Sequence, residues 1–289
     1  MDLIISSISE ALLWSVLAIG VYLMYKILDI ADLSVEGIFP LGAASCCVAL
    51  VSGINPIVAT IIGFVAGSLA GLVAGLISTK LKIPALLTGI LVMTGLYSVN
   101  LRIMQKPNVS LLSTNTIYDL LNNIIPEKYQ VLVIGVIILV IIILILLWFY
   151  NTEIGLAFIA TGDNEIMAQA NGINTDHMKI IGYMIANGLV GLSGALLAQY
   201  NGFSDVQSGI GTIVIGLAAV IIGGVIVKNA KFLSRLILVV VGACIYRLII
   251  SFVLQMHIEA TDLKLISAVI LTIFLALPSL KLKRNTREV

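Results

Sequence analysis

The groups able to do chemistry in this chain are few, and their spacing says more than their number. Asp163, Glu165 and Asp176 fall in one polar interval, Thr152–Lys179, inside otherwise nearly unbroken hydrocarbon. Asp32, Ser34 and Glu36 alternate at the head of a short apolar run. Carboxylates so placed serve as acid–base pairs, as ion-coupling pairs, or as anions on helix N-termini, where the helix dipole favours them. The first two uses need companions that are missing. His177 and His257 are isolated. Cys46, Cys47 and Cys244 lie in apolar runs, with no CxxC and no Cys/His cluster, so packed thiols are expected rather than a metal site or a disulfide framework. There is no HExxH, no GxS with a partner histidine in register, and no GxxxxGK[ST] phosphate loop. The expectation is a chain with no catalytic residue and no metal, unable to hydrolyse ATP itself.

That leaves the helix-terminus reading, which fits Thr152–Lys179 well. Asp163 is expected to cap a short helix beginning at Asn164, with Glu165 in its first turn and Gly172 ending it in the left-handed conformation. Ile166, Met167 and Ala170 then share one face. Asn174 or Thr175 caps the next helix, with Asp176 in its first turn. Two turns of helix are too short to stand alone. An exposed apolar knob rimmed with acids suits a groove on a partner protein. A surface loop tucked against the rest of the chain is the plainer alternative.

The elements that must position these groups follow from composition. The chain has 289 residues, of which 60% are hydrophobic and 11% charged, with net charge +1 and mean hydropathy +1.14. A water-soluble domain of this length needs more polar surface, so an all-α integral membrane protein is expected. Apolar runs at about 5–28, 37–52, 57–79, 84–104, 130–150, 178–200, 212–227, 232–256 and 263–280 give about nine transmembrane segments. Two are short, and each follows a Gly-containing polar stretch, "DIADLSVEG" or "GFSDVQSGI". Short interrupted segments in matching places suggest two related broken-helix units, 29–105 and 202–280, around a central solute path.

Lysine and arginine set the orientation. With Lys281, Lys283, Arg284 and Arg287 in the cytoplasm, nine crossings also place Lys26, Lys80, Lys82, Lys179, Lys228, Lys231 and Arg235 inside. Only Arg102, Lys106, Lys128, Arg247 and Lys264 fall outside or in the outer half. The N-terminus and the 105–129 loop are thus expected outside, and the 151–177 interval inside. The first run lacks a basic leader and a cleavage site, so it reads as a mature span.

Gly63, Gly67, Gly71 and Gly75 recur every four residues, flanked by Ala66, Ala70 and Ala74. Such a face lets helix backbones approach closely in lipid. Polar residues within the spans are costly there and are candidates to line a translocation path or to fix the helix breaks: Asp32, Ser34, Glu36, Asn100 and Asn187, with Tyr97 beside them. Arg102 is a candidate for contact with a partner or a solute carboxylate, and Arg247 is expected to pair with an acid. Tyr97, Tyr183, Tyr200 and Tyr246 read first as a membrane-interface belt.

Specific stretches carry a resemblance. "GLAFIATGDNEIMAQANGINTDHMKIIGYMIANGLVGLSGALLAQYNGF" resembles the cytoplasmic loop and following helix of ATP-binding-cassette importer permeases of the branched-chain amino acid and ribose type. "DIADLSVEGIFPLGA", "STKLKIPALLTGILVMTGLYSVNLRIM" and "GIGTIVIGLAAVIIGG" resemble further elements of that family, in the same order along the chain. The pattern is most similar to the subgroup paired with binding proteins of the tryptophan/tyrosine type. It differs from ribose-type permeases in lacking their extra first helix and in having Glu36 where they have glycine. The resemblance implies a type II-like permease fold over a single transmembrane domain, 1–289, in the bacterial cell membrane. It implies a coupling region at 151–177 that docks on cytosolic ATPase subunits, carried by Thr161, Gly162, Asp163, Asn164, Glu165, Ile166, Met167, Ala170 and Gly172. It further implies a second permease copy and no cofactor bound by this chain: ATP and Mg would be held by the partner ATPase, and an extracytoplasmic binding protein would deliver the solute, most simply an aromatic amino acid. A sugar or nucleoside is the alternative substrate. A secondary transporter or channel is the alternative mechanism, though it would leave the short acidic helix without a purpose.

Overall fold

A backbone in hydrocarbon must satisfy its own hydrogen bonds, so long apolar runs can only be helices. The computed structural model describes residues 2–112, 114–122, 124–227 and 231–255, with 265, 266, 268, 269 and 272 besides. Helix α1 (Asp2–Tyr22) continues as a π-helical turn, Leu23–Ile27. Then come α2 (Val35–Val51), α3 (Pro56–Lys80) and α4 (Ala85–Met104). A loop with strand β1 (Asn108–Ser110) and a 3-10 turn (Tyr118–Leu121) leads to α5 (Glu127–Tyr150). Two polar-interval helices follow, α6 (Glu153–Asp163) and α7 (Glu165–Ala170), before α8 (Thr175–Asn201). Strand β2 (Phe203–Asp205), a 3-10 turn (Val206–Gly209), α9 (Thr212–Ile226) and α10 (Phe232–Gln255) complete the described chain.

Among the described residues, seven helices are long and apolar enough to cross a membrane, and α2, with 17 residues, is shorter. Together they account for every apolar run expected up to 232–256. The run expected over 263–280 lies outside the described residues except for the few positions named above. Local chemistry sets several boundaries. Asn55 accepts a hydrogen bond from the Ile57 N–H and Pro56 opens α3, where its missing N–H costs nothing. Thr152 does the same for α6 through the Gly155 N–H.

Helix α8 is the centre of the bundle and packs on α3, α2 and α1, while α1 also meets α5, α9 and α10. The glycine face of α3 is what lets α8 approach. A Cβ on Gly63 would lie 2.7 Å from the Ala195 Cβ, one on Gly71 2.9 Å from the Asn187 Cβ, and one on Gly75 3.1 Å from the Ile180 Cα. Ala70 and Ala74 are buried in the same seam. At the far end of the bundle from α7, β1 and β2 pair antiparallel, Val109 opposite Ser204. The two strands of this ribbon lie in separate loops, one after α4 and one after α8, that the sequence marks only as polar. Its strands are too short for hydropathy alternation to register, and pairing is supplied by the fold.

Candidate functional site

Helix α7 is a small element held from behind. Asn164, not Asp163, is its cap: the Asn164 Oδ1 accepts from the Met167 N–H at 3.0 Å. Asp163 is instead the last residue of α6, a helix the sequence reading does not anticipate. At the other end Gly172 adopts φ +83°, with the Ile173 N–H bonded to the Ala168 carbonyl and the Gly172 N–H to the Gln169 carbonyl. That double closure is a Schellman motif. Asn174 caps α8 through the His177 N–H.

Side chains tie α7 to α8. Lys179 Nζ lies 2.6 Å from the Glu165 Oε1, the Thr175 hydroxyl donates to the same oxygen at 3.2 Å, and the Gln169 Nε2 donates to the Thr175 Oγ1 at 2.9 Å. Lys80, at the end of α3, reaches Asp176 at 3.5 Å. Glu165, Gln169, Thr175, Asp176 and Lys179 border a cleft of about 630 Å³ with Lys82. Glu165 is therefore a partly exposed strut between α7 and α8. What α7 presents outward is Ile166, 80% exposed, and Met167, 63% exposed, with Ala170 beside them; Ala168 is buried behind. Of the residues expected to carry the coupling region, Thr161 and Gly162 pack inward. Thr161 is buried in α6, and a Cβ on Gly162 would lie 2.7 Å from the Ile27 carbonyl carbon. Replacing Gly172 with valine is expected to cost about 1–2 kcal/mol through the positive φ. Limited proteolysis should then cut between 165 and 174 faster than in wild type while the spans stay protected.

The second constellation forms in the middle of the bundle. Leu28 touches the backbone space of Gly182, low on α8, whereas Asp32 meets Asn187 near the middle of that helix. The break before α2 therefore climbs from the α7 end into the bundle. The break before α9 descends from the ribbon end, and the two meet: the Gly211 N–H donates to the Glu36 Oε1 at 2.9 Å. Gly209 presses so closely on the start of α2 that a Cβ there would lie 2.7 Å from the Pro40 Cδ. Two half-helices thus point their N-termini at one region, where both dipole ends are positive. Two acids answer them. Asp32 Oδ1 accepts from the Ser34 N–H at 2.8 Å, and its Oδ2 from the Asn187 Nδ2 at 2.8 Å. Glu36, in the first turn of α2, caps α9 instead.

Asp32, Ser34, Asn100 and Asn187 are buried, and the Asn100 Nδ2 donates to the Gly37 carbonyl at 3.2 Å. Glu36 is partly exposed and Tyr97, on α4, is 49% exposed. The structure thus gathers Asp32, Ser34, Glu36, Asn100 and Asn187 around the head of α2. Tyr97 lies on the open face of α4. Two tyrosines depart from the belt reading: Tyr183 and Tyr246 are buried in the core. Arg247 pairs with Glu10 of α1, which also accepts from the Trp14 Nε1 at 3.3 Å. Sequence reading missed Glu10, because an acid in the first span gives no sign of which distant helix it faces. Among the described residues no group of three or more His, Cys, Asp or Glu side chains could hold a metal ion. His177 is exposed on the first turn of α8, and His257 lies outside the described residues.

Comparison with known proteins gives a coherent set of likenesses. Residues 3–276 match the family model described as branched-chain amino acid transport system / permease component. A tyrosine transport system permease protein of Clostridioides difficile (strain R20291) is 42% identical over 279 residues, covering 96% of this chain and 92% of that one. A ribose import permease protein of Bacillus subtilis (strain 168) is 29% identical over 74% of this chain and 65% of its own. Among solved structures, PsaBC from Streptococcus pneumoniae in complex with Fab superposes with a TM-score of 0.53 at 15% identity. That match covers 93% of this chain and 89% of the other, and it is a likeness of fold.

Proposed function

The chain belongs to the family of permease components of branched-chain amino acid transport systems, multi-pass proteins of the bacterial inner membrane, and on that premise we propose that it is the membrane subunit of an ATP-driven importer of an aromatic amino acid. The observation that carries this reading is α7. An element of six residues, capped at both ends and strutted by Glu165 and Lys179, offers Ile166 and Met167 to the surroundings. Rigid support behind an exposed apolar knob suits a groove on a cytosolic ATPase. The ATPase would hold ATP and Mg, and its closure would move α7 and, through α6 and the π-helical end of α1, the spans. Lys26, Lys80, Lys82 and Lys179 favour a cytoplasmic α7 end. The ribbon end then faces outward, toward a binding protein that delivers solute.

The solute path would run between two copies of this chain. Helix α4 supports that assignment, because Thr94, Tyr97 and Ser98 are exposed on its surface. Polar groups on a spanning helix favour a protein or watery surrounding over lipid tails. The tyrosine transport relative, at 42% identity, favours an aromatic amino acid as the solute. Pull-down of the detergent-extracted protein from its native membrane, with mass spectrometry, tests the reading. The expected result is a nucleotide-binding ATPase at one copy per permease. Recovery of the permease alone, under conditions that keep other membrane complexes intact, would turn the assignment toward an ATP-independent carrier.

A further inference from the structure

We propose that Glu36 recognises the ammonium group of the transported solute, an inference that rests on the importer reading above. The two acids at the meeting of the breaks differ in what they have left to offer. Asp32 is 4% exposed and both its oxygens accept hydrogen bonds from the protein. It is finished as a structural group. Glu36 is partly exposed and uses only Oε1, on the Gly211 N–H. Among the described residues, Lys80 pairs with Asp176, Lys179 with Glu165 and Arg247 with Glu10, and none of these cations turns to Glu36. A carboxylate within a spanning bundle is costly to leave without a cation. One cap hydrogen bond and a helix dipole offset only part of that cost.

Among the buried side-chain atoms left without a partner, the Ser34 hydroxyl can donate or accept, and two amide oxygens can only accept. Asn100, 1% exposed, gives its Nδ2 to the carbonyl of Gly37, the neighbour of Glu36, and its Oδ1 has no partner. Asn187, 0% exposed, gives its Nδ2 to Asp32, and its Oδ1 has none either. Both are acceptors, since each amide's donor end is fixed by the oxygen it meets. The partly exposed Glu36 carries a carboxylate oxygen free for contact, while the amide oxygens are buried and add only to the negative character around it, so the region favours a positively charged group rich in N–H donors. A primary ammonium is such a group, and an amino acid carries one. Gln207 and Ser208 of the second break are exposed beside Glu36, so the region has an open side. A neutral sugar would supply hydroxyls and no charge.

The experiment reconstitutes permease, ATPase and binding protein in proteoliposomes and follows radiolabelled tyrosine. Glu36→Gln retains the size of the side chain and an acceptor for the Gly211 N–H, so it removes charge alone. The expected result is a drop in maximal uptake of at least about tenfold, with KM unchanged because the binding protein sets it, and with an unaltered thermal midpoint. Glu36→Asp keeps the charge and is expected to recover uptake to within about threefold of wild type. Wild-type uptake by Glu36→Gln would overturn the inference and leave Glu36 a helix cap. A parallel loss of uptake and thermal midpoint in both variants would overturn it too. Failure of the wild-type complex to import any amino acid would instead strike the importer reading on which it rests.

Discussion

Gly67→Leu and Gly71→Leu are each expected to abolish folded, monodisperse protein. Leucine at either position drives a branched side chain into the backbone of α8, not into a yielding side chain. A Cβ alone on Gly67 already approaches the Asn187 carbonyl and lies 3.0 Å from the Gly191 Cα. On Gly71 it approaches the Tyr183 carbonyl. Overpacking of this kind costs about 1–3 kcal/mol where a core can shift, and more where two backbones meet. Here the helices would have to part, which would also pull Asn187 from Asp32. The check is size-exclusion chromatography and a thermal midpoint in detergent. Gly95 is the control: a Cβ there meets nothing within 4 Å, so Gly95→Leu is expected to fold normally. Equal stability of all three variants would show that the glycine face of α3 is not a packed seam.

The second large effect is expected at α7 and spares the fold. Ile166 and Met167 are mostly exposed, so Ile166→Asp and Met167→Asp remove little buried surface from the permease. Their stability is expected to stay within about 0.5 kcal/mol of wild type. Association with the ATPase is expected to weaken at least about tenfold, because a charge would enter an apolar groove. Glu165→Gln should act more gently and by another route. It weakens the bond to Lys179 and loosens α7 against α8, a partly exposed pair worth about 0–1 kcal/mol. Co-elution of ATPase with each variant, beside its thermal midpoint, separates the two mechanisms. Normal co-elution of both aspartate variants would remove α7 from the interface.

The contrast between these two regions shows how far local sequence reaches. Glu165 in the first turn, Gly172 in the left-handed conformation and the apolar face of Ile166, Met167 and Ala170 were all legible. Each depends on residues within about one turn of its neighbours. The misplaced cap has the same local origin. Asp163 and Asn164 are adjacent and cap about equally well; the choice was made by α6, which starts at Glu153 and runs on through Asp163. Thr161 and Gly162 belong to that unanticipated helix, and Gly162 lets it sit against the end of the π-helical turn that continues α1.

The middle of the bundle was legible only as a list. Asp32, Ser34 and Glu36 could be named from their cost in a membrane, and Asn100 and Asn187 likewise. Their partners could not. Glu36 meets an N–H 175 positions away, and Asp32 meets an amide 155 positions away. The cysteine and tyrosine placements divide in the same way. Cys46 and Cys47 are buried as composition suggests, whereas Tyr183 and Tyr246 went to the core instead of the interface.

By itself, then, the sequence determined the helical membrane class, the position of each run up to 256, the two breaks, the Gly172 stop of α7 and the start of α8 at Asn174–Thr175. Those follow from hydropathy, from backbone hydrogen bonding without water, and from contacts a few residues long. The tertiary structure alone decided that the two breaks meet, that Asp32 is fully used while Glu36 keeps a free oxygen, and that Glu165 turns toward α8 as a strut. The physical reason is that hydrocarbon surroundings make spanning helices alike in hydropathy on every side. Which faces meet is then set by shape, by small residues and by a few polar pairs, and a linear reading does not bring those together.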